Sequence, residues 1–180
     1  MIEETGIIKA VLEGDTESFR LLVQRYQKPV TRMIANLIND RHICEDITHE
    51  VFLAAYKKLS SFNPDRSSFS TWLFTIARNK SINAMKKRRI PSVSNPPEVP
   101  DMSEPVDSLV RDELFIELDK AMKSLSPGHR RALVLAEFEN LTYEQIAQIE
   151  GVRIGTIKSR INRAKHRLRS ALDGRDGDIQ

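Results

Sequence analysis

Cysteine occurs once in the 180 residues, at Cys44, and glycine seven times. A single thiol rules out an intramolecular disulfide framework and leaves no thiol cluster for a structural zinc site. The core must therefore be apolar packing, for which a hydrophobic content of 40% suffices in one medium domain or two small ones. No run approaches the roughly 20 apolar residues of a membrane span, and the acidic start MIEET is the reverse of a cationic signal-peptide region. These absences predict a cytoplasmic protein without a membrane span. The chain also has no Gly-rich phosphate loop and no nucleophile paired with a base. No catalytic residue, metal site or cofactor is assigned, and an enzyme is not expected.

What is present is helical. Apolar residues recur at helical spacing as Phe19, Leu22, Val23, Tyr26, then Val30, Met33, Ile34, Leu37, Ile38. Further stripes are Ile47, Val51, Ala55, Leu59; Phe69, Leu73, Ile76, Ala77; and Val110, Leu114, Leu118, Ala121, Leu125. No stretch sustains a two-residue alternation, so the expected class is all-α. Residues 91–107, PSVSNPPEVPDMSEPVD, carry five prolines, four acids and no base. Proline removes a backbone donor and keeps the preceding residue out of a helix, so this segment reads as an acidic linker. The expected division is a helical domain over 1–90, a linker over 91–109, a second helical domain over 110–173 and a tail over 174–180.

Charge is nearly balanced overall, at 28 basic against 25 acidic residues, but GVRIGTIKSRINRAKHRLRSAL at 151–172 has seven Lys or Arg and no acid. Wound as a helix, it places Ile154, Ile157, Ile161, Ala164, Leu168, Ala171 and Leu172 on one stripe. Gly155, Ser159, Asn162 and His166 centre the opposite face, with Thr156 and Arg163 beside them. Lys158, Arg160, Lys165, Arg167 and Arg169 lie toward the flanks. Short polar groups at the centre suit base edges, and long cations on the flanks suit the phosphates of a major groove about 12 Å wide. Upstream, LTYEQIAQIEGV forms a shorter helix with Thr142 and Gln145 at capping-box spacing, Ile146, Ala147 and Ile149 inward, and Gly151 ending it. The pair reads as a helix-turn-helix whose second helix enters duplex DNA. A solvated basic surface helix is the alternative.

In the first domain, Glu45, Asp46 and Glu50 form an acidic patch opposite Ile47 and Val51. Carboxylates repel phosphates, so this face is either solvated or meets a protein. The following segment interleaves Phe69, Trp72, Phe74 and Asn79 with Arg66, Arg78 and Lys80, and ends in Lys86, Lys87, Arg88 and Arg89. Aromatics and amides among cations suit unstacked single-stranded bases, although Phe69 and Leu73 read as core and Trp72 as either.

With these residues in place, the chain resembles RNA polymerase sigma factors of the extracytoplasmic function (ECF) group of the sigma-70 family. CEDITHEVFLAAYKKL is similar to region 2.2, FSTWLFTIARNKSINAMKKRR to regions 2.3 and 2.4, and LSPGHRRALVLAEFENLTYEQIAQIEGVRIGTIKSRINRAKHRLRSAL to region 4. The resemblance covers nearly the whole chain. It implies an initiation factor that binds core RNA polymerase, recognises the −35 and −10 elements of promoter DNA and assists melting. Asp46, His49 and Glu50 match the positions that dock on the polymerase, with His49 where the family commonly has Gln. The loop Asn63, Asp65, Arg66, Ser67 and Ser68 matches the one that receives a flipped −10 base. Asn79 matches a position that helps hold the opened strand, with Trp72 and Lys80 as further candidates on that surface. Lys158, Ser159, Asn162 and Arg163 match the positions that read the −35 element, flanked by Thr156 and Arg160. The acidic linker would thread a basic channel of the polymerase or serve as a tether. Many relatives are inhibited by an anti-sigma factor.

Two other readings are compatible with parts of the sequence. One is a helix-turn-helix transcriptional regulator that binds DNA unaided. The other is a metal sensor built on His42, Cys44 and His49, whose spacing fails helical geometry because Cys44 and His49 are five positions apart.

Overall fold

The computed structural model of the chain describes residues 4–38, 40–88 and 109–173. Arg89, the Pro-rich segment 91–107 and the tail 174–180 lie outside them. The described residues form α-helices and two short 3-10 turns, with no strand among them, as the periodicity requires. No helix among them is long and apolar enough to cross a membrane. The chain divides into two compact units.

The first unit contains α1 (Glu4–Leu12), α2 (Phe19–Ala35), α3 (Arg41–Lys57) and α4 (Phe69–Arg88). Helices α2, α3 and α4 each pack on the other two, and α1 lies against α2. The expected stripes supply the core: Leu22, Val30, Met33 and Ile34 from α2, Ile47, Val51 and Ala55 from α3, and Phe69, Leu73 and Ala77 from α4. Each Val, Leu, Ile, Met or Phe among them contributes about 1.5–3 kcal/mol when fully buried. The run Phe19 to Tyr26 and the run from Val30 as far as Ile34 belong to one helix, with Pro29 inside it, and Leu37 and Ile38 lie beyond its end. The proline ring removes one interior hydrogen bond at that turn, and apolar residues on both sides hold the helix together across it. The sequence reading assigns no element to residues 4–12. The structure forms α1 there and ties it to α2 through the Tyr26 hydroxyl, which donates to the Glu4 carboxylate.

Local chemistry sets where α3 begins. Asp40 is extended, and its carboxylate accepts from the Ile43 N–H at 3.0 Å, a cap that stabilises by about 0.5–2 kcal/mol. One turn in, Arg41 pairs with Glu45 at 3.0 Å. The Thr48 hydroxyl is buried but satisfied, donating to the Cys44 carbonyl at 2.7 Å and meeting the Thr31 hydroxyl of α2 at 3.1 Å.

The second unit contains α5 (Leu109–Ser124), α6 (Pro127–Glu137), the start of α7 (Tyr143–Glu150) as far as Ala147, and α8 (Ile154–Asp173). Both α5 and α6 pack on α8. Helix α6 buries Arg131, Ala132, Leu133, Val134 and Leu135 in succession. A helix buried on every side shows no stripe, so residues 127–137 are legible in the sequence only as part of the longer region 4 motif.

Candidate functional site

Helix α3 turns Cys44, Ile47, Thr48, Val51 and Phe52 inward. Glu45, Asp46, His49, Glu50 and Leu53 face solvent. Asp46, His49, Glu50 and Leu53 stand at i, i+3, i+4 and i+7 and so form one continuous stripe. Leu53 is 55% exposed, an apolar side chain at the end of an otherwise polar face. The apolar-stripe reading does not single it out, although its spacing from Asp46 is visible in the sequence. Glu50 also reaches across to α4, where its carboxylate accepts from Lys80 Nζ at 2.7 Å. The acidic stripe and the candidate single-strand surface therefore meet at an ion pair.

The loop before α4 is organised by its own polar groups. The Asn63 side-chain carbonyl accepts from the Asp65 N–H at 2.8 Å, and the Asn63 backbone carbonyl accepts from the Arg66 N–H at 3.2 Å. Asn63, Asp65 and Arg66 are exposed, and Ser67 is half-buried. Ser68 serves α4 itself: its hydroxyl accepts from the Thr71 N–H at 3.2 Å and lies 2.9 Å from the hydroxyls of Ser70 and Thr71. It caps the helix, which a Ser three residues ahead of Thr71 in the sequence permits.

Of the three aromatics in FSTWLF, Phe69 and Phe74 are buried and belong to the core. Trp72 is half-buried. Its ring lies 5.5 Å from that of Phe62 and 5.6 Å from that of Phe69. One side of the indole is thus fixed by packing while the rest stays accessible, the arrangement that a stacking platform needs. Asn79 is exposed, and its side-chain carbonyl accepts from Arg78 Nη1 at 3.3 Å.

In the second unit, the Thr142 N–H donates to Gln145 Oε1 at 2.9 Å and the Gln145 N–H to Thr142 Oγ1 at 3.3 Å. This is the reciprocal capping box expected from the spacing. Gly151 has φ +62°, and the Val152 N–H donates to the Ala147 carbonyl at 3.1 Å. A left-handed residue that closes a helix in this way favours glycine. Along α8, Ile157, Ile161 and Ala164 are buried, and Thr156, Lys158, Ser159, Asn162, Arg163 and His166 are exposed. Arg160 is half-buried because it leans on α6: a Cβ on residue 128, which is glycine, would lie 3.4 Å from Arg160 Cζ. On the other flank Lys165 pairs with Glu137 at 2.7 Å.

The His42, Cys44, His49 triad does not converge. Cys44 is buried, its thiol donating to the Ile38 carbonyl at 3.2 Å, and burial pushes that thiol above its ordinary value. His42 and His49 are exposed. No group of potential metal ligands occurs among the described residues.

Comparison with known proteins assigns both units. Residues 22–90 match the sigma-70 region 2 family and residues 115–168 the sigma-70 region 4 family. The chain is 32% identical to the RNA polymerase sigma-H factor of Pseudomonas aeruginosa, over 94% of each protein. It is 33% identical to the ECF RNA polymerase sigma-E factor of Escherichia coli K12, over 90% of each. A solved relative, the sigma factor RpoE in complex with the anti-sigma factor NepR from Bartonella quintana, is 27% identical with a TM-score of 0.68, over 87% of this chain and 98% of that one. With two family regions in order and full-length relatives above 30% identity, the chain belongs to the sigma-70 family, in its ECF group.

Proposed function

We propose that the protein is an ECF-type initiation factor that joins core RNA polymerase and directs it to promoters through two DNA surfaces. The observation that carries this reading is the division of its exposed faces by charge. Helix α3 presents a stripe of acids that would repel DNA, whereas α8 presents exposed polar and cationic groups with no acid between residues 151 and 172. One face suits a cationic protein surface and the other a polyanion, which a self-sufficient DNA-binding regulator does not need.

In this reading Asp46, His49 and Glu50 dock on the polymerase. The loop Asn63 to Ser67, with Trp72, Asn79 and Lys80, receives the opened −10 strand, and Ser68 holds the start of α4 that supports it. Base flipping costs a few kcal/mol, which stacking on the Trp72 surface and polar contacts in the loop offset. Thr156, Lys158, Ser159, Asn162 and Arg163 read or flank the −35 element in the major groove. The factor works in the cytoplasm and supplies no reacting group; bond formation belongs to the polymerase. The proposed boundaries are residues 1–90 and 110–173 for the two functional domains, joined by the acidic linker. An anti-sigma factor is a natural further partner, because a surface that accepts polymerase also accepts an inhibitor that occludes it.

The test is gel filtration of the purified protein with core RNA polymerase. The wild type co-elutes, and an Asp46→Ala, Glu50→Ala double variant with an unchanged circular dichroism spectrum does not. A wild type that elutes apart from core, yet binds duplex DNA alone, would make the independent regulator the correct reading.

A further inference from the structure

The loop from Asn63 to Ser68 starts and ends on an aromatic side chain. Phe62 precedes it and Phe69 follows it, and the two rings meet edge to face at 5.6 Å, an arrangement aromatic pairs prefer. The base of the loop is thus closed by a ring contact. Both rings also flank the Trp72 indole, at 5.5 and 5.6 Å. Behind Phe69 stands Tyr26 of α2, its ring 5.6 Å away. A connected set of rings therefore runs from α2 to the surface proposed for the opened strand, and its inner end is pinned. The Tyr26 hydroxyl donates to the Glu4 carboxylate, which also lies 3.8 Å from Arg25 Nη1, and the Arg25 guanidinium lies 5.9 Å from the centre of the Tyr26 ring. Burial, and then the hydrogen bond to Glu4, hold the Tyr26 phenol above its ordinary value, so it remains a donor to that carboxylate. Helix α1, which carries Glu4, packs also on the 3-10 turn Leu59–Ser61. Phe62 follows that turn directly, its N–H donating to the Leu59 carbonyl at 3.0 Å.

We propose that Tyr26, held by Glu4, is a positioning residue for promoter melting: it backs the contact between Phe62 and Phe69, and so fixes both the loop that receives the flipped base and the indole on which the opened strand stacks. The inference rests on the stacking role proposed for Trp72 and deepens it. Trp72 and Phe69 stand three apart on α4 and share a face of that helix, but α4 alone leaves the indole free to turn about its side-chain torsions. Phe62 and, through Phe69, Tyr26 limit that freedom from outside the helix. The consequence for binding is entropic. A ring that must be ordered when the base arrives gives up part of the stacking free energy, whereas a ring already fixed does not. Tyr26 acts only through the rings in front of it, and Glu4 only through Tyr26.

The chain has one tryptophan, so the intrinsic tryptophan emission of the full-length protein reports the Trp72 ring alone. Emission wavelength and acrylamide quenching are measured for wild type, Tyr26→Phe, Glu4→Ala and Glu4→Gln. The same variants, with Trp72→Ala, are then joined to core polymerase, and open-complex formation is followed by permanganate reactivity on a promoter that the wild-type holoenzyme has selected from a randomised pool. Trp72→Ala should slow melting by about 5- to 150-fold, the contribution of one stacked base. Tyr26→Phe keeps the ring and removes the hydroxyl. It and Glu4→Ala should each slow melting roughly three- to tenfold, because they loosen the indole without removing it, and both should shift the emission to longer wavelength and raise quenching. Glu4→Gln keeps a carbonyl acceptor for the Tyr26 hydroxyl and should stay close to wild type in both readouts. Co-elution with core is expected to be unchanged throughout. Normal melting by Trp72→Ala would remove the stacking role itself. Slow melting by Trp72→Ala beside normal melting by Tyr26→Phe and Glu4→Ala overturns the positioning role alone, as does slow melting by these two with unchanged emission. A matching loss of core binding in the two variants would make Tyr26 a support of the fold as a whole and would equally refute the proposal.

Discussion

Lys80→Ala is expected to strengthen binding to core polymerase. Lys80 belongs to the surface proposed for the opened DNA strand, and Glu50 to the surface proposed for the polymerase, but in the free protein each is the other's partner at 2.7 Å. A polymerase cation that takes Glu50 must compete with Lys80, and a phosphate that takes Lys80 must compete with Glu50. Binding of either ligand therefore favours the other, and by linkage the two effects are equal. The side chains of Lys80 and Glu50 are 37% and 58% exposed, so the pair belongs to the weak surface class worth about 0.2–1 kcal/mol. That bounds the gain in core affinity for Lys80→Ala at about 1.4- to 5-fold, shrinking as added salt screens the pair. The assay is a titration of fluorescently labelled full-length protein with core polymerase at two ionic strengths, with Asn79→Ala as the control for a change on the same helix. The reciprocal arm measures free protein binding to a single-stranded oligonucleotide, where Glu50→Gln should gain by a similar factor and Asp46→Asn, one turn away, should not. A Lys80→Ala variant whose core affinity is unchanged or lowered at both salt concentrations would refute the coupling. So would a gain that persists undiminished at high salt.

Two further outcomes test the assignment of surfaces. Leu53→Ala should lower core affinity by about 1 kcal/mol, close to fivefold, because a side chain already 55% exposed has roughly half its transfer free energy still to gain on docking. The same change should alter thermal stability by no more than about 0.5 kcal/mol, as expected for a surface position, and a loss of stability without loss of binding would return Leu53 to the core. Asn79→Ala should slow open-complex formation, followed by permanganate reactivity of unpaired thymines, more than it weakens initial promoter binding. Equal losses in both would remove Asn79 from the melted strand.

Most of the fold was legible because its helices report a single buried face. Ile47, Val51 and Ala55 predict the orientation of α3, and with it the exposure of Asp46, His49 and Glu50, because side-chain direction repeats every 3.6 residues. The capping box at Thr142 and Gln145 was legible for the same reason: both partners lie within one turn. What remained hidden depends on elements far apart in the chain. Phe74 sits among cations and amides and reads as part of a stacking surface, yet α4 is packed against both α2 and α3 and has two inward sides where periodicity anticipates one. Helix α6 buries five residues in succession, from Arg131 to Leu135, and so shows no single stripe. The Glu50 to Lys80 pair spans 30 positions, and no local pattern connects an acid on one helix with a lysine on another. Periodicity tells which way a side chain points, whereas the proposed coupling depends on what it points at. The motifs that identify the family lie within helices, whereas the Glu50 to Lys80 pair joins two of them.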